Sequence, residues 1–174
     1  MVGAKLYYPD DTIQHAGVVV GLGGVAAHVL CKLPRDAEGY MGRLRCVQEI
    51  SAVTAACMMV KTSVFKAVGG FDEELKVAFN DIDLCMKVRK YGVKIVFTPY
   101  AELYHYESKS RGMEDTPEKQ LRFSREVNCF RRKWERELLK GDPYYNPNLT
   151  LNNTDCSLRK QAVSYTHLRA HETC

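Results

Sequence analysis

The chain has 174 residues, of which 45% are hydrophobic and 26% are charged, and its formal net charge is +4. This composition is that of an ordinary globular protein with a real core, and it excludes a disordered or fibrous chain. No run approaches the roughly 20 apolar residues that a membrane span needs, and the first residues lack the pattern of a signal peptide. We therefore expect a cytoplasmic protein, with a peripheral position at the inner face of the membrane as an open alternative.

Cysteine usage points to a reducing environment. The chain has seven cysteines, an odd number, and no two of them have the short spacing of a zinc-binding pair. The pattern therefore indicates buried, reduced thiols rather than a disulfide framework or a zinc site.

The first half of the chain predicts a hairpin followed by a strand and a helix. Residues 5–8 and 12–20 are β-prone and are separated by a Pro-Asp-Asp turn. The apolar run that contains residues 54–61 predicts a buried strand, and residues 62–68 predict a short helix that Gly69 and Gly70 end.

The second half predicts the other parts of an α/β unit. Asp81 is placed to cap a helix over residues 82–91, and residues 93–97 predict a buried strand that Pro99 stops. Helix, glycine and strand in this order indicate an α/β fold class.

A basic helix is predicted from Thr116 to Lys140. It starts with a capping hydroxyl and a proline, and it carries eight Lys or Arg against four Glu, so its net charge is +4. Its apolar stripe and interleaved glutamates favour a packed helix with a solvated face over nucleic-acid binding. Contact with an anionic membrane surface stays open.

Two acids and one histidine are candidates for chemistry. Asp81 and Asp83 lie near a helix start, where the helix dipole and free N–H groups stabilise negative charge. They could accept a proton or hold a cation, although on spacing alone a helix cap and a solvated acid are the simpler interpretation. His105 follows a predicted strand, and open α/β sheets bind ligands at such strand ends. His15 and His28 have no paired ligand at a useful spacing.

Two cations follow His105 in a polar stretch. Lys109 and Arg111 lie in a segment with the composition of a loop, and they could bind an anionic group such as a diphosphate. The alternative is that they serve only solubility.

Several motifs in a fixed order resemble the C-terminal half of family-2 glycosyltransferases of the GT-A fold, closest to bacterial members that build O-antigen or rhamnan. The motifs that carry the resemblance are Gly3 to Gly17, Ser51 to Cys57, Gly69-Gly70-Phe71-Asp72-Glu73, Phe79-Asn80-Asp81-Ile82-Asp83-Leu84-Cys85 and Tyr100 to His105. The resemblance implies the C-terminal part of a nucleotide-diphospho-sugar transferase fold, an incomplete sheet with flanking helices, over residues 1–160.

The resemblance also implies an activity and its residues. An inverting transferase would move a sugar from a nucleotide diphosphate donor to the hydroxyl of a glycan or lipid-linked acceptor, in surface polysaccharide synthesis and with Mg²⁺ or Mn²⁺. Asp81 takes the place of the family's base, Asp83 is an auxiliary acid, and His105 takes the place of a metal ligand. Lys109 and Arg111 would bind substrate diphosphate, and no nucleic acid is implied.

The chain departs from the family pattern in two places. The family's acidic pair is usually Glu-Asp, whereas here Asn80 precedes Asp81. The family's Asp-x-Asp motif lies upstream of the point where this chain begins, so we expect a fragment that is inactive by itself. Residues 161–174 resemble a translated read-through and are expected to be non-native. A non-catalytic glycan-binding module or a pseudoenzyme is the alternative function.

Overall fold

The computed structural model describes residues 1–106 and 116–160. Their fold is mixed α/β, with a small curled sheet and few helices. Lys109, Arg111 and the segment 161–174 lie outside the described residues. No helix within the described ranges combines the length and the apolarity needed to cross a bilayer.

The sheet is built around strand β1 (Val2–Tyr7). Strand β7 (Val96–Tyr104) pairs with it in parallel on one side. On the other side, β2 (Ile13–His15) pairs with its second half and β6 (Met58–Met59) with its first two residues, both antiparallel. The short strand β5 (Gln48–Glu49) extends the sheet beyond β7. Because β1 and β7 are parallel, their carboxyl ends meet at the same edge.

The predicted hairpin is confirmed, with one difference. β1 and β2 are antiparallel and joined by a turn in which Tyr8 N–H donates to Thr12 O at 2.9 Å. The second predicted strand is divided at Gly17, which has a φ of 110°. Beyond it, β3 (Val18–Val20) pairs with β4 (Ala26–His28) in a separate two-stranded sheet. A positive φ is accessible to glycine at little cost, so the break falls there.

Two strand predictions are wrong. The strand expected over residues 54–61 is a 3₁₀ turn (Ala55–Cys57) followed by only two strand residues, because the Thr54 hydroxyl accepts a hydrogen bond from Ala56 N and closes the turn. Pro99 does not stop β7. The register with β1 shifts between the pairs Ala4–Thr98 and Lys5–Glu102, so Pro99 lies in a bulge, where proline is tolerated.

Within the described residues, four α-helices flank the sheet. Helix α1 (Thr62–Ala67) begins as predicted but has no side-chain cap. Helix α2 (Asn80–Lys90) carries the candidate acids, and α3 (Pro117–Lys133) and α4 (Glu135–Lys140) divide the predicted basic helix at Trp134. The predicted start of α3 is confirmed, since Thr116 Oγ1 accepts from Lys119 N at 3.4 Å.

One hydrophobic core joins these parts. It contains side chains of β1, β2, β3, α2 and α3, and it extends to Leu149 and Cys156 in the last described segment. The largest fully buried side chains include Tyr7, Phe97 and Phe130. The inner face of α2 therefore belongs to this core, and its first turn contacts the 3₁₀ turn before β6 through the hydrogen bond from Ala55 N to Asp81.

Candidate functional site

The first turn of α2 holds both candidate acids but places them differently. The helix begins at Asn80, and the preceding residue Phe79 has a left-handed φ of 62°. Asp81 is therefore inside the helix and does not cap it, so the capping prediction is wrong. Its Oδ2 accepts a hydrogen bond from Ala55 N at 3.1 Å, and its Oδ1 accepts from Ile82 N at 2.9 Å.

Asp81 is partly exposed, and no cation in the described part of the chain pairs with it. Among the described residues, no lysine, arginine or histidine nitrogen lies within ion-pair distance of its carboxylate. Its two recorded partners are backbone N–H groups, which orient a carboxylate without removing its charge. A carboxylate held in this way can accept a proton from a group that approaches from solvent.

Asp83 has no exposed surface and lies in a buried polar cluster. The indole Nε1 of Trp134 donates to its Oδ1 at 2.8 Å, and Lys133 Nζ lies 2.7 Å from the same oxygen. Lys87 Nζ is 3.0 Å from Oδ2. Oδ2 is close enough to Lys87 Nζ for an ion pair, but the angles are not those of a hydrogen bond. The attraction between Oδ2 and Lys87 is therefore electrostatic. This placement favours a structural role for Asp83.

The Gly-Gly-Phe-Asp-Glu segment belongs to the same cluster. Asp72 pairs with Lys133, which holds the pKa of Asp72 below its ordinary value, and Lys87 Nζ donates to the carbonyl of Gly70. Burial opposes the charge of Lys133, but its bonds to Asp72 and Asp83 raise its pKa overall. The motif residues at positions 70, 72 and 83 therefore fix the loop to α2 and α3.

Glu126 is a buried acid that sequence reasoning left without a role. It is 3% exposed, and its two carboxylate oxygens accept hydrogen bonds from Val77 N at 3.0 Å and Ala78 N at 2.9 Å. These donors lie just before the first turn of α2, so α3 holds the chain where the helix starts. The sequence feature that could have indicated this buried role is the position of an acid among the apolar stripe residues of the predicted helix.

His105 lies at the carboxyl end of β7, as the sequence predicts. Its backbone N–H donates to Tyr7 O at 2.9 Å, and its ring Nδ1 lies 2.8 Å from Gln14 Oε1. The other end of the same amide, Gln14 Nε2, is 3.5 Å from the His105 carbonyl oxygen. This orientation of the amide makes ring Nδ1 the donor to Gln14 Oε1.

His105 is a lone candidate for metal ligation in the described part of the chain. Residues 1–106 and 116–160 contain no group of three or more His, Cys, Asp or Glu side chains that could hold a metal ion. No hydrogen bond or ion pair joins His105 to Asp81 within these ranges. The described residues therefore do not make up a metal site by themselves, and they do not bring the expected base, Asp81, into contact with the expected ligand, His105.

A polar network lies beside His105 at the same edge of the sheet. Glu102 accepts from the Tyr7 hydroxyl at 2.8 Å and from Arg35 at 2.6 Å. The hydrogen bond from Tyr7 is the main reason that the pKa of Glu102 is lowered, and Arg35 adds to it. Arg35 also donates to the Tyr104 hydroxyl at 2.8 Å. These groups give the strand ends a charged, hydrogen-bonding rim.

A cleft of about 560 Å³ lies at the opposite end of α2. Its lining includes Arg89, Trp134 and Tyr144, but neither Asp81 nor His105. Lys90, also in the lining, pairs with Glu137 at 2.7 Å. Since α2 is about 16 Å long at 1.5 Å per residue, this cleft is separate from the candidate acid.

Comparison with known proteins gives relatives of much greater length. The chain is 59% identical over 155 residues to an uncharacterized protein of Sinorhizobium fredii, a match that covers 88% of this chain and 17% of the relative. It is 40% identical over 160 residues to an O-antigen biosynthesis protein of Myxococcus xanthus, covering 91% of this chain and 12% of the relative. The chain thus spans less than a fifth of the length of either protein.

A shorter match concerns a transferase by name. Over 62 residues the chain is 36% identical to an N-acetylglucosaminyl-diphospho-decaprenol L-rhamnosyltransferase of Mycobacterium tuberculosis, which covers 36% of this chain and 20% of that protein. No family model matches the chain, and no solved structure matches it. The names of the Myxococcus and Mycobacterium relatives point to a glycosyltransferase family.

Proposed function

We propose that the chain is part of an inverting, family-2 glycosyltransferase of the GT-A type that acts in surface polysaccharide synthesis. The donor would be a nucleotide diphosphate sugar, and the acceptor a glycan or lipid-linked hydroxyl. The observation that carries the proposal is Asp81, a partly exposed carboxylate held by Ala55 N–H and without an ion-pair partner in residues 1–106 and 116–160. The names of the relatives, which concern O-antigen and rhamnosyl transfer, support the choice of reaction.

Asp81 acts as the general base in this proposal. Its carboxylate takes the proton of the acceptor hydroxyl while the oxygen attacks the anomeric carbon of the donor sugar. The bond between that carbon and the diphosphate oxygen breaks, and its electron pair leaves with the nucleotide diphosphate. Attack from the side opposite the leaving group inverts the configuration. Hydrogen bonds from Ala55 N–H and Ile82 N–H would hold the carboxylate in place while it accepts this proton.

The other candidate residues have supporting parts. Asp83 would act on the reaction only through α2, because its carboxylate is buried against Trp134 and two lysines. The divalent cation expected from the resemblance would take one nitrogen ligand from His105, and its other ligands would come from groups outside the described residues. Lys109 and Arg111 stay in the proposal as diphosphate contacts; they lie outside the described residues.

A segment exchange tests the proposal. In a chimera, the 160-residue matching segment of the Myxococcus xanthus O-antigen biosynthesis protein is replaced by that of this chain. We expect the chimera to restore O-antigen in a strain that lacks the native protein, and the purified chimera to transfer sugar from one member of a panel of UDP-, GDP- and dTDP-sugars. A folded, expressed chimera that does neither would contradict the proposed activity and favour a non-catalytic module.

A further inference from the structure

Strand β2 contains two consecutive buried polar side chains. Gln14 is 3% exposed and His15 is fully buried, although β2 has only three residues. A polar group that is buried without a hydrogen bond costs free energy, so each of these side chains needs a partner. Both partners belong to the candidate site or to the segment that holds it.

His15 contacts the segment that holds Asp81. Its Nε2 accepts a hydrogen bond from Thr54 N at 3.4 Å. A nitrogen that accepts has no proton, so the ring is neutral with its proton on Nδ1, which is buried without a hydrogen-bond partner among the described residues. Burial and, to a smaller extent, the nearby His28 lower the pKa of His15, which keeps the ring in this accepting form. The His28 ring packs edge-on at 4.8 Å.

Three successive N–H groups are fixed in the turn that follows. Thr54 N–H is held by His15, Ala55 N–H by the Asp81 carboxylate, and Ala56 N–H by the Thr54 hydroxyl at 3.3 Å. Because these groups are adjacent in the chain, a change at Thr54 moves the donor that orients Asp81. His15 is thus connected to the proposed base through one peptide unit.

Gln14 contacts the other part of the site. Its side-chain amide reaches His105 at two points, with its oxygen 2.8 Å from ring Nδ1 and its nitrogen 3.5 Å from the backbone carbonyl. Consecutive side chains of a strand point to opposite faces. One short strand can therefore reach both His105 at the end of β7 and the turn beside α2.

We propose that Gln14 and His15 are the positioning residues of the candidate site: His15 fixes the Thr54–Ala55 turn that orients Asp81, and Gln14 fixes the ring of His105. This role deepens the proposed function and rests on it, because Asp81 and His105 form a reaction site only if that function holds. The contacts themselves can be tested without any transfer reaction.

A matched pair of substitutions tests the role of His15 in the 174-residue chain. Gln places an oxygen near the position of Nε2, whereas Asn is too short to reach Thr54. Using ¹H–¹⁵N NMR, we expect His15→Asn to shift the amide signals of both Thr54 and Ala55, and His15→Gln to return them towards their original positions. A shift of Thr54 alone, with Ala55 unmoved, would overturn the link to Asp81.

If either variant fails to fold, the hydrogen bond between His15 and Thr54 can still be tested in the unsubstituted chain. Its ¹⁵N spectrum should show His15 Nε2 as an unprotonated nitrogen and Nδ1 as a protonated one. The opposite assignment would mean that His15 cannot accept from Thr54, and the proposal would fail.

A second matched pair tests Gln14. We expect the ¹⁵N signals of the His105 ring to show a proton on Nδ1 in the unsubstituted chain and in Gln14→Glu, which keeps the acceptor. Gln14→Leu should lose this preference and give a mixture of the two tautomers. An unchanged His105 spectrum in Gln14→Leu would show that Gln14 does not fix the ring.

The chimera connects these contacts to catalysis. There, His15→Asn should lower kcat by about 10- to 100-fold through misplacement of the base, with the donor KM unchanged, and His15→Gln should recover most of the loss. A KM change with kcat intact would overturn the positioning role. If the unsubstituted chimera transfers no sugar, the proposed function fails, whereas the two NMR tests still judge the contacts.

Discussion

The indole Nε1 of Trp134 donates a 2.8 Å hydrogen bond to the fully buried Oδ1 of Asp83. Together with the ion pair from Lys133, this bond joins α2 to the junction between α3 and α4, while Lys87 pairs with the same carboxylate from within α2. The carboxylate that sequence reasoning placed beside the reaction therefore holds the helix on which the proposed base lies. Asp81, two residues earlier, points instead to Ala55 and solvent.

Asp83→Asn should lower the free energy of unfolding by about 3 kcal/mol, because it removes a buried charge that two lysines share. This destabilisation lies at the low end for a buried ion pair, because Lys133 keeps its ion pair with Asp72 and both lysines are partly exposed. Urea unfolding followed by tryptophan fluorescence measures the change. The matched control is Asp36→Asn, an exposed acid, which should change stability little. Equal effects at both positions would contradict the structural role.

Glu126→Gln should loosen the chain just before α2. An amide has only one acceptor oxygen, so either Val77 N–H or Ala78 N–H loses its partner, at a cost of about 1 to 3 kcal/mol. Hydrogen exchange of these two amides should become faster than in the unsubstituted chain. Glu135→Gln, at an exposed position of α4, is the control and should leave both amides unchanged.

Stability should fall in mild acid because of His15. Burial lowers the pKa of His15 well below the ordinary value of 6.5, so below about pH 6.5 the unfolded chain binds a proton that the folded chain does not. The free energy of unfolding should then drop by up to about 1.4 kcal/mol per pH unit until the folded-state pKa is reached. The His15→Gln variant should lack this part of the slope. Parallel curves for the two proteins between pH 6.5 and 5 would contradict a buried neutral ring.

Local features of the fold were predictable from sequence, whereas long-range contacts were not. The hairpin of β1 and β2 and the start of α3 follow from nearby turn and cap residues, and both are confirmed. The strand break expected at Pro99 is wrong, because only the pairing with β1 shows that the residue lies in a bulge. That pairing depends on residues more than 90 positions apart in sequence.

In the candidate site, too, local features were predictable from sequence and long-range contacts were not. The position of His105 at a strand end follows from the apolar run before it, but its contact with Gln14 spans 91 residues and leaves no local pattern. Asp81 and Asp83 are indistinguishable by spacing. Burial against Trp134, 51 residues away, separates their roles. Glu126 was visible only as an acid in an apolar stripe.

The most direct test of the account is Asp81→Asn in the chimera, with Asp36→Asn as the control. Asparagine cannot take the acceptor proton, so sugar transfer should fall by about 100-fold or more while binding of the nucleotide-sugar donor, measured by calorimetry, stays unchanged. The control should transfer at the unsubstituted rate. Turnover of Asp81→Asn close to that of the unsubstituted chimera would contradict the assignment of Asp81 as the base.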